Sequence, residues 1–405
     1  MCPGYSFSIL LSMQTLAKPF TYATTLSCSQ CGKQYSLSLL QTYAHCCDKP
    51  LVVDYANIDF SKSKLQHRPM NMWRYREMLP VLQDDNIITL GEGFTPIFLL
   101  NKLADRFGFS DLLMKDESSN PTGSFKARGI SVAVSKAKEF GIKHCIIPTA
   151  GNAGGAMAAY CAKADIACTV VMPAHTPEIF KQECRLYGAE LILIEGLISD
   201  CAKKVTELNK DSHYFDMSTL KEPYRLEGKK TMGYEIAEQL NWQLPDIIIY
   251  PAGGGTGLIG IWKAFKEMKT LGWISGPLPR MIAVQSKNCA PIIHALEEPL
   301  TWKKTFIPHA TIANGLAVPY PFGMKMILDV LKESGGTAIA IGEEEIISGG
   351  IEIAKMEGLL ISPEGAATWK ALLHLYQCGK ISSSEKVLLL NTGSGYKYID
   401  NYNRE

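Results

Sequence analysis

From about residue 85 onward, apolar runs of strand length alternate with segments of helix length, and this alternation constrains the fold more than any other feature. The candidate strands, in chain order, are DLLMK, HCIIP, CTVVMP, ELILIEG, DIIIYP, RMIAVQ, TAIAI and KVLLLN. Runs this apolar are typical of strands covered on both faces. Helix candidates between them include AGGAMAAYCAKA, IGIWKAFKEMKTL and EEEIISGGIEIAKME. The pattern predicts an α/β body with a largely parallel sheet.

Composition excludes several classes of function. The 405 residues are 46% hydrophobic and 20% charged, which is typical of a globular protein with a sizeable core. The formal net charge of +1 gives no field that attracts nucleic acid or an anionic membrane. No run reaches the roughly 18 to 20 apolar residues of a membrane span. Most of the 12 cysteines stand singly in apolar runs, as expected in a reducing cytoplasm.

Two parts of the chain differ in pattern. Residues 1–60 contain a cysteine cluster and short β-like pieces, and their first twenty residues lack the basic region of a signal peptide. We therefore expect an N-terminal arm followed by a small ribbon-like segment. Residues 61–405 form the expected body. Within it, proline and glycine interrupt residues 295–323, so we expect an irregular excursion over the surface or over the site.

The strongest anion-binding signal is the segment IIIYPAGGGTGLIG, in which an apolar strand leads into a glycine loop and then a helix. The loop consists of Gly253, Gly254, Gly255, Thr256 and Gly257. Glycines let backbone N–H groups converge on an oxyanion, and the helix N-terminus adds its dipole. The spacing matches neither a Walker loop nor a Rossmann fingerprint. We predict a phosphate site here.

Two further strand ends carry glycines and small polar residues. The first continues CIIP with seven loop residues: Thr149, Ala150, Gly151, Asn152, Ala153, Gly154 and Gly155. The second follows VLLLN and includes Thr392 and Ser394. Ligands of α/β sheets bind beyond the carboxyl ends of strands. The three ends together therefore predict one cleft for a phosphorylated ligand.

Lys126 lies in NPTGSFKARG, behind a Pro-Thr-Gly turn and the aromatic Phe125. A lysine in such a small, polar run either binds phosphate or performs covalent chemistry. A phosphate cradle combined with one special lysine fits pyridoxal phosphate (PLP), which is held by its phosphate and by a Schiff base to the amine. We therefore expect PLP as the cofactor.

Five segments carry a family resemblance: SSNPTGSFKARG, TAGNAGGAMAAY, YRLEGKKTMGYEIAEQL, PAGGGTGLIGIWKAF and NTGSGYKY. In collinear order over about residues 85–400, they resemble the threonine synthase family, in the tryptophan-synthase-β-like class of PLP enzymes. The resemblance implies fold type II, a two-lobed, three-layer α/β fold with PLP between the lobes. About residues 115–225 would form the smaller lobe and the rest the larger. It also implies a cytoplasmic homodimer with a small-molecule amino-acid substrate.

The resemblance also implies roles at the cofactor. Lys126 would form the Schiff base and act as general base, with Phe125 beside it in the cofactor site. Asn152 would contact the 3′ oxygen of the pyridine ring. Gly253 to Gly257 would hold the phosphate. Thr392 would meet the ring nitrogen, where a neutral hydroxyl suits elimination and replacement better than transamination.

At the substrate, the resemblance implies that the backbone donors of Thr149 to Ala153 take the carboxylate. The family reaction converts O-phospho-L-homoserine and water to L-threonine and phosphate by β,γ-elimination and replacement. For the leaving phosphate, the candidates are Lys115 in LLMKDE and Arg225 in YRLEG.

Three departures from the family pattern leave other substrates open. Ala127 stands where the family commonly has aspartate, the loop GGGTG lacks asparagine, and Ser218 and Thr219 stand where an Asn-Ser pair is common. One alternative is a PLP-dependent serine or threonine ammonia-lyase or β-replacement enzyme. Another, from a different class, is a catalytically silent PLP-binding protein that uses its ribbon to bind a partner.

The cysteine cluster resembles a zinc ribbon. Cys28 and Cys31, followed by a glycine, form half of a zinc knuckle. In the second half, AHCCDKPL, Cys47 takes one ligand position, but an alanine stands at the other. His45 or Cys46 would then have to supply the fourth ligand, although adjacent ligands strain a tetrahedral site. The alternatives are a structural zinc ion or a ribbon that folds without metal.

Overall fold

The computed structural model describes residues 21–211 and 213–403, and the N-terminal arm expected before residue 21 lies outside them. The strands are β1 Ala23–Cys28, β2 Gln34–Ser36, β3 Leu51–Tyr55, β4 Ile97–Leu99, β5 Leu112–Asp116, β6 His144–Pro148, β7 Ala167–Pro173, β8 Glu190–Ile194, β9 Phe215–Asp216, β10 Ile247–Pro251, β11 Arg280–Ser286, β12 Thr337–Ile341 and β13 Val387–Asn391. The helices are α1 Asn101–Phe107, α2 Lys126–Glu139, α3 Asn152–Ala164, α4 Glu178–Leu186, α5 Ile198–Leu208, α6 Tyr224–Gln239, α7 Thr256–Thr270, α8 Pro291–Glu297, α9 Trp302–Thr305, α10 Met324–Glu333, α11 Glu343–Glu357, α12 Pro363–Gln377 and α13 Ile399–Tyr402. Short 3₁₀ turns are Lys62–Leu65, Met72–Met78, Asp84–Asn86, Glu117–Ser119, Pro121–Gly123, Asn314–Leu316 and Gly395–Tyr398.

The larger sheet has six strands in the order β12-β11-β10-β13-β5-β4, all parallel except the edge strand β4. Helices cover both faces. In β10, Ile248 and Tyr250 pack with α6, α7 and α10, whereas Ile247 and Ile249 pack with α11 and α12. Burial on both faces explains the uninterrupted apolar runs of these strands.

The smaller sheet is parallel, with the order β8-β7-β6-β9, and lies entirely within residues 144–216. Its core includes β6, β7 and helices α2, α3 and α4. The predicted lobe boundary near residue 115 falls inside β5, which pairs with β13 of the larger sheet.

Helices α2 and α6 cross closely between the two sheets. A Cβ atom on Gly129 would lie 2.7 Å from the carbonyl oxygen of Arg225, and one on Gly228 would collide with the carbonyl group of Arg128. The two glycines therefore let the helix backbones touch. This crossing joins a helix that packs with the smaller sheet to one that packs with the larger sheet.

The N-terminal strands form a separate antiparallel sheet in the order β2-β1-β3. It rests on α6 and α7, where Tyr55 donates to Glu227 Oε2 at 2.8 Å and Lys263 donates to the Val53 carbonyl at 2.8 Å. This small sheet lies in the region expected to be ribbon-like.

The structure confirms the predicted α/β body, because each of the eight quoted apolar runs contains a strand. The three quoted helix candidates coincide with α3, α7 and α11. Among the helices of the described residues, none combines the length and the apolar character needed to cross a membrane.

Candidate active site

A cavity lies between the two sheets, at the carboxyl ends of β10 and β13. The predicted site residues that line it are Phe125, Lys126, Asn152, Gly253, Gly254, Gly255, Thr256 and Thr392. Gly257 lies one residue farther along α7, where a Cβ atom would collide with the Tyr250 hydroxyl. The structure thus brings the three predicted strand ends to one cleft.

Lys126 is the first residue of α2 and reaches into this cavity. The preceding turn includes Thr122 at φ +60°, and the Phe125 N–H donates to the Thr392 carbonyl at 3.1 Å. Within the described chain no hydrogen bond holds the Lys126 amine, which lies 4.4 Å from the centre of the Phe125 ring. The loop after β13 therefore fixes the backbone and leaves the amine available.

Burial lowers the pKa of Lys126 to about 8, and the positive charge of Arg225 acts in the same direction. The negative charge of Glu364, which also lines the cavity, raises the Lys126 pKa and so acts against both effects. An amine with a pKa near neutrality can act as nucleophile and base.

The glycine loop joins β10 to α7 and faces the cavity with its backbone. Gly255 has φ +75°, a conformation that favours glycine, and its position immediately precedes the first turn of α7. A side chain on Gly253 would collide with the Gly315 carbonyl, which belongs to the irregular segment 295–323. That segment therefore passes over the site, which is one of the two positions expected for it.

Asn152 and Thr392 stand at the ends of the other two strands. Asn152 is the first residue of α3. Its side-chain NH₂ group donates to the Tyr398 hydroxyl at 3.2 Å, and its side-chain oxygen Oδ1 accepts from the Lys397 ammonium at 3.1 Å. These bonds orient the amide beside the cavity. Thr392 follows β13 directly and is buried.

A second cavity shares Lys126, Asn152 and Thr219 with the first, so the two adjoin. Its other predicted lining residues are Thr149, Ala150, Gly151, Ala153 and Arg225. The residues expected at the cofactor and those expected at the substrate therefore occupy adjoining spaces, with Lys126 between them.

Arg225 is buried in α6, and its guanidinium donates to the Met217 carbonyl. Its Nε atom has no hydrogen-bond partner in the described chain and lies 3.9 Å from Glu222 Oε1, which is also without a hydrogen bond there. Burial raises the pKa of Glu222 to about 7, although Arg225 opposes that shift. This wall of the second cavity therefore has unused hydrogen-bonding capacity.

Lys115, the other candidate for a substrate phosphate, lines neither cavity. Its ammonium is fully buried and donates to the Thr95 carbonyl at 2.8 Å, to Glu235 at 2.9 Å and to Gln239 at 2.9 Å. All three of its protons are used by these bonds. The structure separates Lys115 from the other predicted site residues.

Sequence reasoning assigned no role to two charged residues at the site. Glu364 lines the first cavity and accepts from the Gly315 N–H at 2.7 Å. Lys229 is buried in α6 and donates to Thr256 of the glycine loop at 2.7 Å. The sequence signal for Lys229 is its place as the first lysine of EGKKT, a segment that contributes to the family resemblance. The signal for Glu364 is only its position after the proline that begins α12.

The cysteine cluster converges at the tips of the N-terminal sheet. The sulfurs of Cys28, Cys31, Cys46 and Cys47 all lie within 4.8 Å of one another, and the Cys31 and Cys46 sulfurs are 3.5 Å apart. Thiolates of a tetrahedral zinc site stand about 3.7 Å apart, given zinc–sulfur bonds of about 2.3 Å. His45 is not part of the cluster, because its ring packs on Tyr43. The adjacent residues Cys46 and Cys47 both contribute their sulfurs to the cluster, despite the strain expected of neighbouring ligands.

The residues present fit pyridoxal phosphate. A lysine amine of lowered pKa faces the same cavity as a glycine loop at a helix N-terminus, which is suited to a phosphate. Asn152 and Thr392 add two polar residues to the lining of the same cavity. Together the fold and the cavity define a PLP enzyme.

Comparison with known proteins agrees with this class. Residues 88–393 match the family model described as pyridoxal-phosphate dependent enzyme. The threonine synthase of Methanocaldococcus jannaschii is 34% identical over 92% of this chain and 93% of its own length. The threonine synthase of Methanosarcina acetivorans is 34% identical over 91% of each chain. The chain therefore belongs to the PLP-dependent enzymes and, within them, to the threonine synthase family, whose members are lyases.

A solved structure supports the fold independently. Maize serine racemase superimposes with a TM-score of 0.63 at 20% identity, over 76% of this chain and 94% of its own. At that identity the likeness concerns the fold alone. The expected type II fold and the PLP cofactor are confirmed.

Proposed function

We propose that the protein converts O-phospho-L-homoserine and water to L-threonine and phosphate. Its relatives in Methanocaldococcus jannaschii and Methanosarcina acetivorans are named threonine synthases. The observation that carries this choice is that the second cavity provides separate places for two anions. Residues 149–153, at the N-terminus of α3, lie on one wall, where Thr149 and Gly151 already donate their N–H groups within the protein and Ala150, Asn152 and Ala153 remain as backbone donors. The incompletely paired guanidinium of Arg225 lies on another wall. O-phosphohomoserine carries both a carboxylate and a phosphate, whereas serine and threonine carry only the carboxylate.

In this proposal Lys126 moves the proton at the substrate α carbon. With a pKa of about 8, about a tenth of the Lys126 amines are neutral at pH 7 and able to accept a proton. Its place between the two cavities suits transfer at a carbon that joins cofactor and substrate. When bound, PLP supplies an electron sink for bonds at the α and β carbons.

The remaining cofactor roles follow the lining of the first cavity. We assign the cofactor phosphate to the backbone donors of Gly253 to Gly257 and the hydroxyl of Thr256. Asn152 would donate to the ring 3′ oxygen, and Phe125 would flank the Lys126 amine. The hydroxyl of Thr392 at the ring nitrogen would leave that nitrogen unprotonated.

We assign the leaving phosphate to Arg225, with Thr219 nearby in the same cavity. A guanidinium offers the geometry and charge that phosphate binding needs. Lys115 has no part in this proposal, because Glu235 and two other acceptors already use its ammonium.

Product analysis tests the function. Purified, PLP-loaded protein receives O-phospho-L-homoserine and, separately, L-serine and L-threonine. We expect threonine and phosphate in equal amounts from the first substrate and little 2-oxo acid from the others. Arg225→Gln should raise KM for O-phospho-L-homoserine by about 10- to 100-fold. Ammonia and 2-oxo acid from serine or threonine, without synthesis of threonine, would instead establish an ammonia-lyase.

We also propose a structural zinc ion on Cys28, Cys31, Cys46 and Cys47. The support is the close approach of four thiols at the tip of a small sheet. Metal analysis should find one zinc per chain, and Cys46→Ser should lower that content. His45→Ala is the matched control and should retain it, because His45 packs on Tyr43. An equal zinc content in all three proteins would contradict the ligand set.

The larger organisation is proposed on the family resemblance. We propose a catalytic body over residues 61–405, with about 115–225 as its smaller lobe, acting in the cytoplasm as a homodimer. The four-stranded sheet within residues 144–216 supports a lobe in that range. Light scattering on the purified protein should give twice the mass of one chain.

A further inference from the structure

Buried lysines in this protein fall into two groups. Lys115, Lys136 and Lys230 each pair with a carboxylate: Lys115 with Glu235, Lys136 with Glu139, and Lys230 with Glu227 and Glu267. Lys229 is equally buried, yet no carboxylate of the described residues lies within 4.0 Å of its ammonium. An isolated buried charge is costly unless a partner arrives. Lys229 is therefore the unusual member of the set.

The ammonium of Lys229 points toward the glycine loop. It donates to Thr256 Oγ1 at 2.7 Å and lies 5.1 Å from the centre of the Phe125 ring. Both contacts line the first cavity. Lys229 therefore stands directly behind the cavity wall at the start of α7, on the side of the proposed phosphate site.

The bond to Lys229 also determines what Thr256 can do. Because the hydroxyl oxygen of Thr256 accepts from an ammonium, its own proton must go to another acceptor. Among the described residues, none accepts that proton. A hydroxyl polarised by a cation and lining the cavity is a ready donor to an anion.

We propose that Lys229 is the countercharge of the cofactor phosphate, holding Thr256 in the orientation that donates to the phosphate and neutralising part of its charge. The proposal rests on the placement of that phosphate at Gly253 to Gly257. Lys229 is here a positioning residue, since Thr256 stands between it and the cavity.

The charges around Lys229 agree with this role. Burial lowers its pKa well below the usual value, and the positive charges of Arg225 and Lys126 lower it further, against the opposing charge of Glu222. In the protein without cofactor, Lys229 therefore adds an uncompensated cost to the fold. A phosphate of opposite charge nearby would relieve that cost.

The test compares two ligands that differ only in the phosphate. Dissociation constants of PLP and of pyridoxal are measured with cofactor-free wild-type protein and with Lys229→Met. We expect the wild type to bind PLP much more tightly than pyridoxal. In the variant, the ratio of the two dissociation constants should fall by about 10- to 100-fold. The affinity for pyridoxal should stay nearly constant, because both ligands react with the same Lys126.

Lys230→Met is the matched control, one residue along α6. Its ammonium pairs with Glu227 at 2.7 Å and Glu267 at 3.1 Å, so its removal should lower the melting temperature of the cofactor-free protein. The preference for PLP should remain that of wild type. Lys229→Met should instead raise the melting temperature of the cofactor-free protein and reduce the stabilisation that PLP adds.

The outcomes separate the possible failures. An unchanged preference for PLP in Lys229→Met would overturn the inference. A lower melting temperature of cofactor-free Lys229→Met, together with an equal loss of affinity for PLP and for pyridoxal, would indicate a structural role and would also overturn the inference. A rise only in KM for O-phospho-L-homoserine would assign Lys229 to the substrate phosphate and overturn it as well. Wild type that binds PLP and pyridoxal equally would contradict the underlying placement of the phosphate at the glycine loop.

Discussion

Two groups of buried charge lie on the same pair of helices, α2 and α6, and they are built in opposite ways. Arg128 of α2 and Glu235 of α6 belong to a closed network that has no contact with either cavity. Two residues before Arg128, Lys126 faces the cavities together with Arg225 of α6. The same close helix crossing therefore supports both a structural and a chemical arrangement.

The network around Arg128 is fully paired. Its guanidinium binds Glu117 at 2.5 Å and Glu235 at 2.5 Å, and Glu235 also accepts from Lys115 at 2.9 Å. Burial alone would raise the pKa of Glu235, but Arg128 and Lys115 hold it at about 2. Each charge in this network has an opposite neighbour within hydrogen-bonding distance.

The cations at the cavities are not paired in this way. Lys126 has no hydrogen bond within the described chain, Lys229 has only the Thr256 hydroxyl, and Arg225 leaves its Nε unused. For all three, burial lowers the pKa. The comparison teaches that a buried charge already satisfied by the protein serves the fold. One left unsatisfied beside a cavity marks a place for a ligand of opposite charge.

The largest expected effect comes from Lys126→Ala, which removes the amine between the cavities. We expect no cofactor adduct on the chain and a loss of turnover of about 1000-fold or more, because both the nucleophile and the base are gone. Borohydride reduction followed by peptide mass spectrometry detects the adduct.

Lys115→Met is the matched control for that experiment, since it removes a buried lysine from the closed network. It should lower stability yet retain the adduct on Lys126. An adduct that persists in Lys126→Ala, or that disappears in Lys115→Met, would reverse the assignment of the two lysines.

Motifs that form their structure locally could be predicted from the sequence. Lys126 and Asn152 are the first residues of helices, and Thr392 directly follows a strand. Each lies in a run of glycines and small polar residues, so its neighbours in the chain define its environment. The strand ends of a parallel sheet then bring such residues to one side.

The next largest effect concerns the closed network. Arg128→Met leaves Glu117 and Glu235 with a single buried cation, so we expect the free energy of unfolding at pH 7 to fall by about 3–5 kcal/mol. Urea denaturation measures the loss. Arg185→Met, which breaks an exposed pair with Glu178, should cost less than about 1 kcal/mol. Equal losses in both variants would remove the distinction between buried and exposed pairs here.

What could not be predicted is whether a charged residue meets a partner distant in sequence. Lys115 was a candidate for phosphate binding, but Glu235, 120 residues away, takes its ammonium. Lys229 received no role, although the fold places it beside Thr256. A lysine has the same local signature in both situations, and only the packing of α6 against β5 and α7 distinguishes them.

The smallest effect, and the sharpest test of the cavity electrostatics, is the pH dependence of cofactor capture. Only the neutral Lys126 amine attacks the pyridoxal aldehyde. The capture rate should therefore rise about tenfold per pH unit below the pKa of about 8 and level off above it. Stopped-flow absorbance with cofactor-free protein and pyridoxal measures this profile.

Two variants should move the inflection in opposite directions. Arg225→Gln removes a positive charge that lowers the pKa of Lys126, so the inflection should shift to higher pH. Glu364→Gln removes a negative charge that raises this pKa, so the inflection should shift to lower pH. Each shift changes the capture rate at pH 7 only severalfold. If both variants kept the wild-type inflection, the Lys126 pKa would be set by burial alone, and the charges of Arg225 and Glu364 would act on ligands rather than on the lysine.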